Sequence, residues 1–241
     1  MKPYEKLSKF YKKDWGKESV RYADLVSNVI NTYNSSVNSV LDIACGTGIL
    51  ATELKNMNFE VSGIDISEDM INVAKETTIE IDFKVADMKN FNLNKKFDII
   101  TCAFDSINYI TNNVDMKKTM KNIFNHLVDN GLFIFDINTP SLYEDRHFGT
   151  IDRIFDDIHF KQILEYDRVT RLGKTVFDFG NNELETHVQK AYTVEEMDEF
   201  LLNADFEIMG RYKNFKLSPI EDRTYKVFYA VKKQLVHNLL I

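Results

Sequence analysis

Three acids stand at comparable places in the first half of this 241-residue chain: Asp42, Asp65 and Asp87, each at or near the end of a short apolar run. Beside the first lies the turn Cys45-Gly46-Thr47-Gly48. Gly46 to Ala51 fits the G-x-G-x-x-G/A fingerprint of dinucleotide-binding loops. Such glycines let the backbone turn tightly and approach a ligand, and the helix that follows offers free N–H groups to an anion. A pyrophosphate and a carboxylate suit that arrangement equally, so the glycines alone leave the ligand open.

Asp42, four residues before Gly46, bears on the choice. A carboxylate there opposes a dinucleotide's phosphates. It suits S-adenosylmethionine, whose methionyl end brings an ammonium to pair and a carboxylate for the loop amides. A solvated or turn-capping acid is the alternative reading of Asp42. Asp65 lies nineteen residues beyond Gly46, where an acid accepts from ribose hydroxyls in either cofactor class. Asp87 could accept from an adenine amine with Ile66 and Met88 flanking the ring, or could simply cap the next turn.

The elements that place these groups follow from hydrophobic periodicity. Residues 5–33 read as helix. Short apolar runs at 37–44, 59–64, 81–85, 97–103 and 131–137 have strand length, with amphipathic segments at 49–57, 68–77 and 114–128 between most of them. Ser67 caps a helix that carries acids in its first turn, and Asn130-Gly131 reads as the stop of the 114–128 helix. Strand–helix alternation means a parallel sheet with right-handed crossovers. After Pro140 three strand-like pieces, HFKQILEYDRV, KTVFDFG and ELETHVQKAY, read as an antiparallel insertion. A helix capped by Thr193 and a closing pair of strands complete the chain. The expectation is one domain: a helical cap over residues 1–36, a core of 37–140 and 192–241, and an antiparallel lid over 141–191.

A formal charge of −7 argues against nucleic acid as a partner. Cys45 and Cys102 lack the spacing of a disulfide or metal framework and read as reduced thiols; no metal site is expected. The N-terminus has no secretory pattern and no run is long enough to span a membrane, so a cytoplasmic protein is expected.

The stretches VLDIACGTGIL, VSGIDISEDMI, FKVADM, FDIITCAFDSINYI and GLFIFDIN, in this order over residues 37–138, resemble the class I S-adenosylmethionine-dependent methyltransferases of the bacterial small-molecule type. The resemblance implies an α/β fold: a seven-stranded, mostly parallel Rossmann-like sheet with helices on both faces, an antiparallel last strand and an antiparallel β lid. It implies that Asp42, Ala44, Cys45, Gly46, Thr47 and Gly48 hold the methionyl part of S-adenosyl-L-methionine. Asp65 would hold the ribose, and Ile66, Asp87 and Met88 the adenine. Ala103, Phe104 and Asp105 would lie beside the sulfonium. Relatives fold an N-terminal aromatic over the cofactor, a role for Tyr11, or else Trp15 or Tyr22, with cation–π attraction as its physical reason. Ala44 departs from the family's first glycine and is expected to keep a negative φ.

Methyl transfer is an in-line displacement that needs alignment and exclusion of water more than a fixed base. The expected reaction is transfer to a nitrogen or oxygen nucleophile of a small metabolite, by a monomer or homodimer. Asp105, His187 and Tyr11 are the catalytic candidates. Asn108, Tyr109, Asn138, His187 and Arg171 are the acceptor-binding ones, with Asp136 at the rim and His147, Tyr166, Arg168 and Tyr192 also offered by the lid. The rival readings are a nicotinamide-dependent oxidoreductase and a non-catalytic cofactor-binding protein.

Overall fold

A computed structural model describes residues 1, 3–33, 37–145, 148–155 and 158–234, the side chains of 9–17 and 155 excepted. Helix α1 (Ser8–Tyr33) leads into β1 (Ser39–Ile43). Then α2 (Ile49–Asn56), β2 (Glu60–Asp65), α3 (Glu68–Thr77), β3 (Asp82–Val85) and β4 (Phe97–Cys102) alternate. A 3-10 turn (Ser106–Tyr109), α4 (Asn113–His126), β5 (Leu127–Asn138) and the short α5 (Pro140–Glu144) follow. The lid comprises β6 (Gly149–Phe155), β7 (Ile158–Asp167), β8 (Leu172–Asp178) and β9 (Leu184–Lys190). The chain closes with α6 (Val194–Leu202), β10 (Phe206–Tyr212) and β11 (Lys226–Lys233).

The main sheet has seven strands in the order β10-β11-β5-β4-β1-β2-β3, and β11 runs antiparallel to both neighbours. Its central strands β1 and β4 are buried on both faces, as parallel strands under crossover helices must be. Leu41 and Ile43 pack toward α4 and α6, whereas Val40 packs toward α1 and α2. The lid is a separate four-stranded antiparallel sheet, β6-β7-β8-β9. Cross-strand register puts Gln162, Phe177 and Glu185 abreast on one face, with Thr175 beside His187.

Two sequence expectations need correction. The 114–128 helix ends at His126, and extended backbone begins at Leu127. Asn130, at φ 63°, sits inside the start of β5 opposite a register shift between Phe97 and Ile99. The lid also holds a fourth strand, β6, along which residues 149–154 are all exposed. An edge strand with neither face buried carries no apolar alternation to read. Among the described residues no helix is long and apolar enough to cross a membrane.

Candidate active site

The strand ends of β1, β2, β3 and β4 open on one edge of the sheet, and the cofactor-like residues gather there. The loop after β1 alternates left-handed residues: Ala44 at φ 55°, Gly46 at 54° and Gly48 at 76°. The expectation of a negative φ at Ala44 is thus overturned. An L-residue held there costs about 1–2 kcal/mol, and the Cys45 N–H donating to the Ile64 carbonyl at 3.0 Å helps to hold it. Gly48 does not line the cavity. A Cβ on it would meet Phe83 at 2.6 Å, as would one on Gly63, so Phe83 packs into the room left by both glycines.

Asp65 is buried, and its carboxylate accepts the backbone N–H of Gly46 at 2.9 Å and of Ser67 at 2.8 Å. It thereby ties the glycine loop to the start of α3. Burial raises its pKa despite those donors. Asp42 is also buried, and Thr101 Oγ1 donates to it at 2.7 Å. Burial pushes its pKa up to about 7, opposed by Thr101 and helped by the charge of Asp65. The Thr47 hydroxyl is buried without a hydrogen-bond partner. Asp42, Ala44, Cys45, Gly46, Thr47, Ala103 and Phe104 line one small recess.

That recess shares Ala44, Gly46 and Ser106 with a cavity of about 650 Å³. Its walls carry Asp65, Ile66, Val85, Asp87 and Met88. Ile66 is 68% exposed and Val85 52%, so two aliphatic side chains face open space between two acids. Asp87 caps its own turn by accepting the Lys89 N–H at 2.9 Å, and pairs with the Lys89 ammonium. These residues fit a nucleoside: apolar walls for a base, carboxylates for hydroxyl and amine donors, and a recess with an acid and free hydroxyl for a zwitterion.

A second cavity, about 530 Å³, lies beneath the lid. Tyr4 and Tyr109 line both it and the nucleoside cavity, and Phe104 lines both it and the recess. The spaces therefore meet at these three rings. Asp105, Asp136, Asn138, His187 and Gln189 line the second cavity, together with Lys226 from β11. Phe104 and Asp105 are consecutive left-handed residues, at φ 58° and 51°. Such backbone persists only where neighbours over-determine it. Here the Asp105 N–H donates to Asp136 at 2.8 Å, Gln189 donates to the Asp105 carboxylate at 2.6 Å, and the Lys226 ammonium bridges Asp105 and Asp136 at 2.7 Å each. Tyr22 is wholly buried against Phe104 and Phe228.

Other candidates lie elsewhere. Asn108 is buried and structural: its amide donates to the carbonyls of Asn138 and Lys190, and its oxygen accepts the Asn138 N–H. Arg171 does not reach the cavity; it forms a two-pronged pair with Glu196 of α6 at 2.7 and 2.5 Å. Tyr166 stacks on Tyr143, and Tyr192 donates to the Ile110 carbonyl. The side chains of Tyr11 and Trp15, and all of His147, lie outside the described residues. Sequence reasoning missed Tyr4, Glu185 and Lys226. Only their distant partners reveal them, because none sits in a local pattern.

Residues 40–131 match the family model described as a methyltransferase domain. The chain is 28% identical over 209 residues to YqeM of Bacillus subtilis (strain 168), a methyltransferase by name, covering 80% of this chain and 83% of that protein. It is 26% identical over 121 residues to dTDP-3-amino-3,6-dideoxy-alpha-D-glucopyranose N,N-dimethyltransferase of Streptomyces fradiae, covering 50% and 48% of the two chains. Among solved structures, an S-adenosylmethionine-dependent methyltransferase from Clostridium acetobutylicum superposes with a TM-score of 0.84 at 26% identity, covering 96% of this chain and 99% of that one. The sugar N-methyltransferase KedS8 from a Streptoalloteichus species shares the fold, at TM-score 0.74 and 18% identity over 96% and 93% of the chains.

Proposed function

We propose that this chain works as a class I S-adenosylmethionine-dependent methyltransferase and methylates a nitrogen or oxygen nucleophile of a small metabolite held beneath the lid. The observation that carries the reading is the junction at Tyr4, Phe104 and Tyr109, where a cavity and recess fit for a nucleoside meet a second cavity beneath the lid. A cavity of about 530 Å³ has the size of a metabolite site and not of a polymer groove. Relatives named for sugar N-methylation support a small amine-bearing acceptor.

When bound, S-adenosylmethionine supplies a methyl group on a positively charged sulfur. In the proposed arrangement the Thr47 amide and hydroxyl receive the methionyl carboxylate, and Asp42 the ammonium. Asp65 takes the ribose hydroxyls through its remaining lone pairs, and Ile66 and Val85 enclose the adenine edge that Asp87 reads. Phe104 is held beside the sulfur by the strained turn that Asp136 and Lys226 brace. Asp105, held by Lys226 and Gln189, keeps the wall in place. The lid excludes water from the reacting atoms.

Heat-shift measurements test the reading. S-adenosylhomocysteine is expected to raise the melting temperature, while NAD at the same concentration leaves it unchanged. With a panel of primary amines and alcohols, S-adenosylhomocysteine release is expected for some acceptors. Stabilisation by NAD alone would overturn the assignment; tight S-adenosylhomocysteine binding without turnover of any acceptor would favour a non-catalytic binder.

A further inference from the structure

Residues 3–7, just ahead of α1, form a wall common to both cavities. Pro3 and Tyr4 line the nucleoside cavity, and Tyr4 and Leu7 line the one beneath the lid. Moving this segment therefore opens both. Tyr4 holds a left-handed φ of 65°, a backbone state that persists only where neighbours over-determine it. Its hydroxyl meets that of Tyr109 at 2.8 Å, which ties the segment to the turn after β4.

The stronger tie runs to the lid. Glu185 of β9 is buried, and its carboxylate accepts the backbone N–H groups of Tyr4 at 2.7 Å, Lys6 at 2.9 Å and Leu7 at 3.2 Å. These amides stand at the head of α1, whose first turn is closed by the Ser8 N–H on the Tyr4 carbonyl at 3.3 Å. N–H groups there have no partner within the helix, and a negative charge suits them. Burial would raise the Glu185 pKa, yet the hydrogen bonds from His187 and the three amides hold it below the ordinary value. It meets the amides as a carboxylate, the stronger acceptor. The Lys6 ammonium adds an ion pair to Glu183 and lies 4.8 Å from the centre of the Phe179 ring. The base of β9 is in turn pinned to the core. Asn108 donates to the carbonyls of Asn138 and Lys190, and Gln189 donates to the Asp105 carboxylate. Glu185 is thus a braced post, and opening falls to residues 3–7, which a local swing of the chain can release.

We propose that residues 3–7 gate the cofactor cavity and that Glu185, a residue of the acceptor lid, is the positioning residue on which the gate closes. The inference rests on the methyltransferase reading. The three amide bonds join protein groups alone, so they resist entry of the cofactor as much as its exit. Weakening them raises the open fraction of the free and the loaded protein by the same factor. The cofactor's own contacts are untouched, and the ratio of its two rates is kept. Exchange becomes faster in both directions while the affinity stays where it was. Because Tyr4 and Leu7 also wall the acceptor cavity, the same opening lets water reach the place of methyl transfer. One latch thus closes the site over cofactor and acceptor together.

Stopped-flow measurement of S-adenosylhomocysteine association and dissociation tests the gate and needs no acceptor. The side-chain amide in Glu185→Gln keeps only one accepting oxygen. Both rate constants are expected to rise about tenfold in this variant, with Kd held within about threefold. Hydrogen exchange should show the Tyr4, Lys6 and Leu7 amides losing protection while those of β5 keep theirs. Lys6→Pro removes one of the three donors without touching the lid, and should also raise both rates. Lys6→Ala keeps that amide but loses the Glu183 pair, and so serves as its control. Rates in Glu185→Gln that match the parent's would refute the gate, whether or not those amides exchange faster. Faster dissociation without faster association would refute it too, since that pattern marks ordinary damage to the cavity. Should Glu185→Gln fail to fold, equal rates in Lys6→Pro and Lys6→Ala would overturn the proposal by the same criterion. Failure of the parent protein to bind S-adenosylhomocysteine would instead strike the methyltransferase reading, and the gate with it.

Discussion

The proposed cofactor half and the proposed acceptor half of this site are built in opposite ways. On the cofactor side the loop after β1 and the ends of β2 and β3 do the work, largely through backbone groups and acids close in sequence. Asp65 binds amides nineteen residues behind it and two ahead. On the acceptor side each functional pair joins distant elements: Tyr109 with His187 across 78 residues, Asp105 with Lys226 across 121, and Tyr4 with Glu185 across 181. A parallel sheet delivers strand ends to one edge by topology alone, so the first half depends on its turns. The second half can vary its lid without disturbing the cofactor. That division allows one fold to serve many acceptors.

The largest expected effect lies in the tightest turn. Gly48→Ala must place a Cβ 2.6 Å from Phe83 at φ +76°. It should cost about 2–4 kcal/mol of stability, visible as a lower denaturation midpoint and, in the survivors, as weakened S-adenosylhomocysteine binding. Unchanged stability would show that Phe83 does not brace the loop. Asp65→Ala comes next: it removes a carboxylate that two amides and, in the proposed complex, two hydroxyls share. A loss of about 100-fold or more in S-adenosylhomocysteine affinity is expected by calorimetry, whereas lid substitutions leave that affinity alone.

Three buried acids give the comparison a pH signature. Asp42, Asp65 and Asp136 all have raised pKa values, chiefly through burial. A raised carboxyl pKa means the folded state holds its proton more tightly than the unfolded state. Its contribution is full below about pH 4 and lost as pH climbs through the folded value, about 7 for Asp42. The unliganded protein should therefore lose melting temperature from about pH 5 to about pH 8. S-adenosylhomocysteine, whose ammonium favours the charged form of Asp42, should restore part of it and release a proton on binding near pH 7. Calorimetry in two buffers of different ionisation enthalpy measures that proton; none released would remove Asp42 from the ammonium site.

The smallest effect sharpens the boundary between the halves. Arg171→Lys breaks a half-buried bidentate pair with Glu196 and should cost about 1 kcal/mol or less, with KM for the acceptor unmoved. A large rise in KM would return Arg171 to the acceptor site.

What was readable in the sequence follows the same division. The core strands and the acids at their ends were legible because apolar runs, glycines and caps are local signals. Ala44 was misjudged because φ depends on the tertiary bond from Cys45 to Ile64. Strand β6 was missed because both its faces are wet, and Asn108 was offered to the acceptor although it clamps β5 to the lid. Glu185 looks like one more solvent-facing acid until the N-terminal amides converge on it. Lys226 likewise reads as a strand-end lysine until Asp105 and Asp136 meet it.

The most direct test is where the cofactor's sulfur points. A crystal structure with S-adenosylhomocysteine should place the methionyl carboxylate on the Thr47 amide and hydroxyl and the ribose on Asp65. The sulfur should face the junction of Tyr4, Phe104 and Tyr109 beneath the lid. A sulfur turned away from Tyr109, or a nucleoside bound in the lid cavity instead, would contradict it.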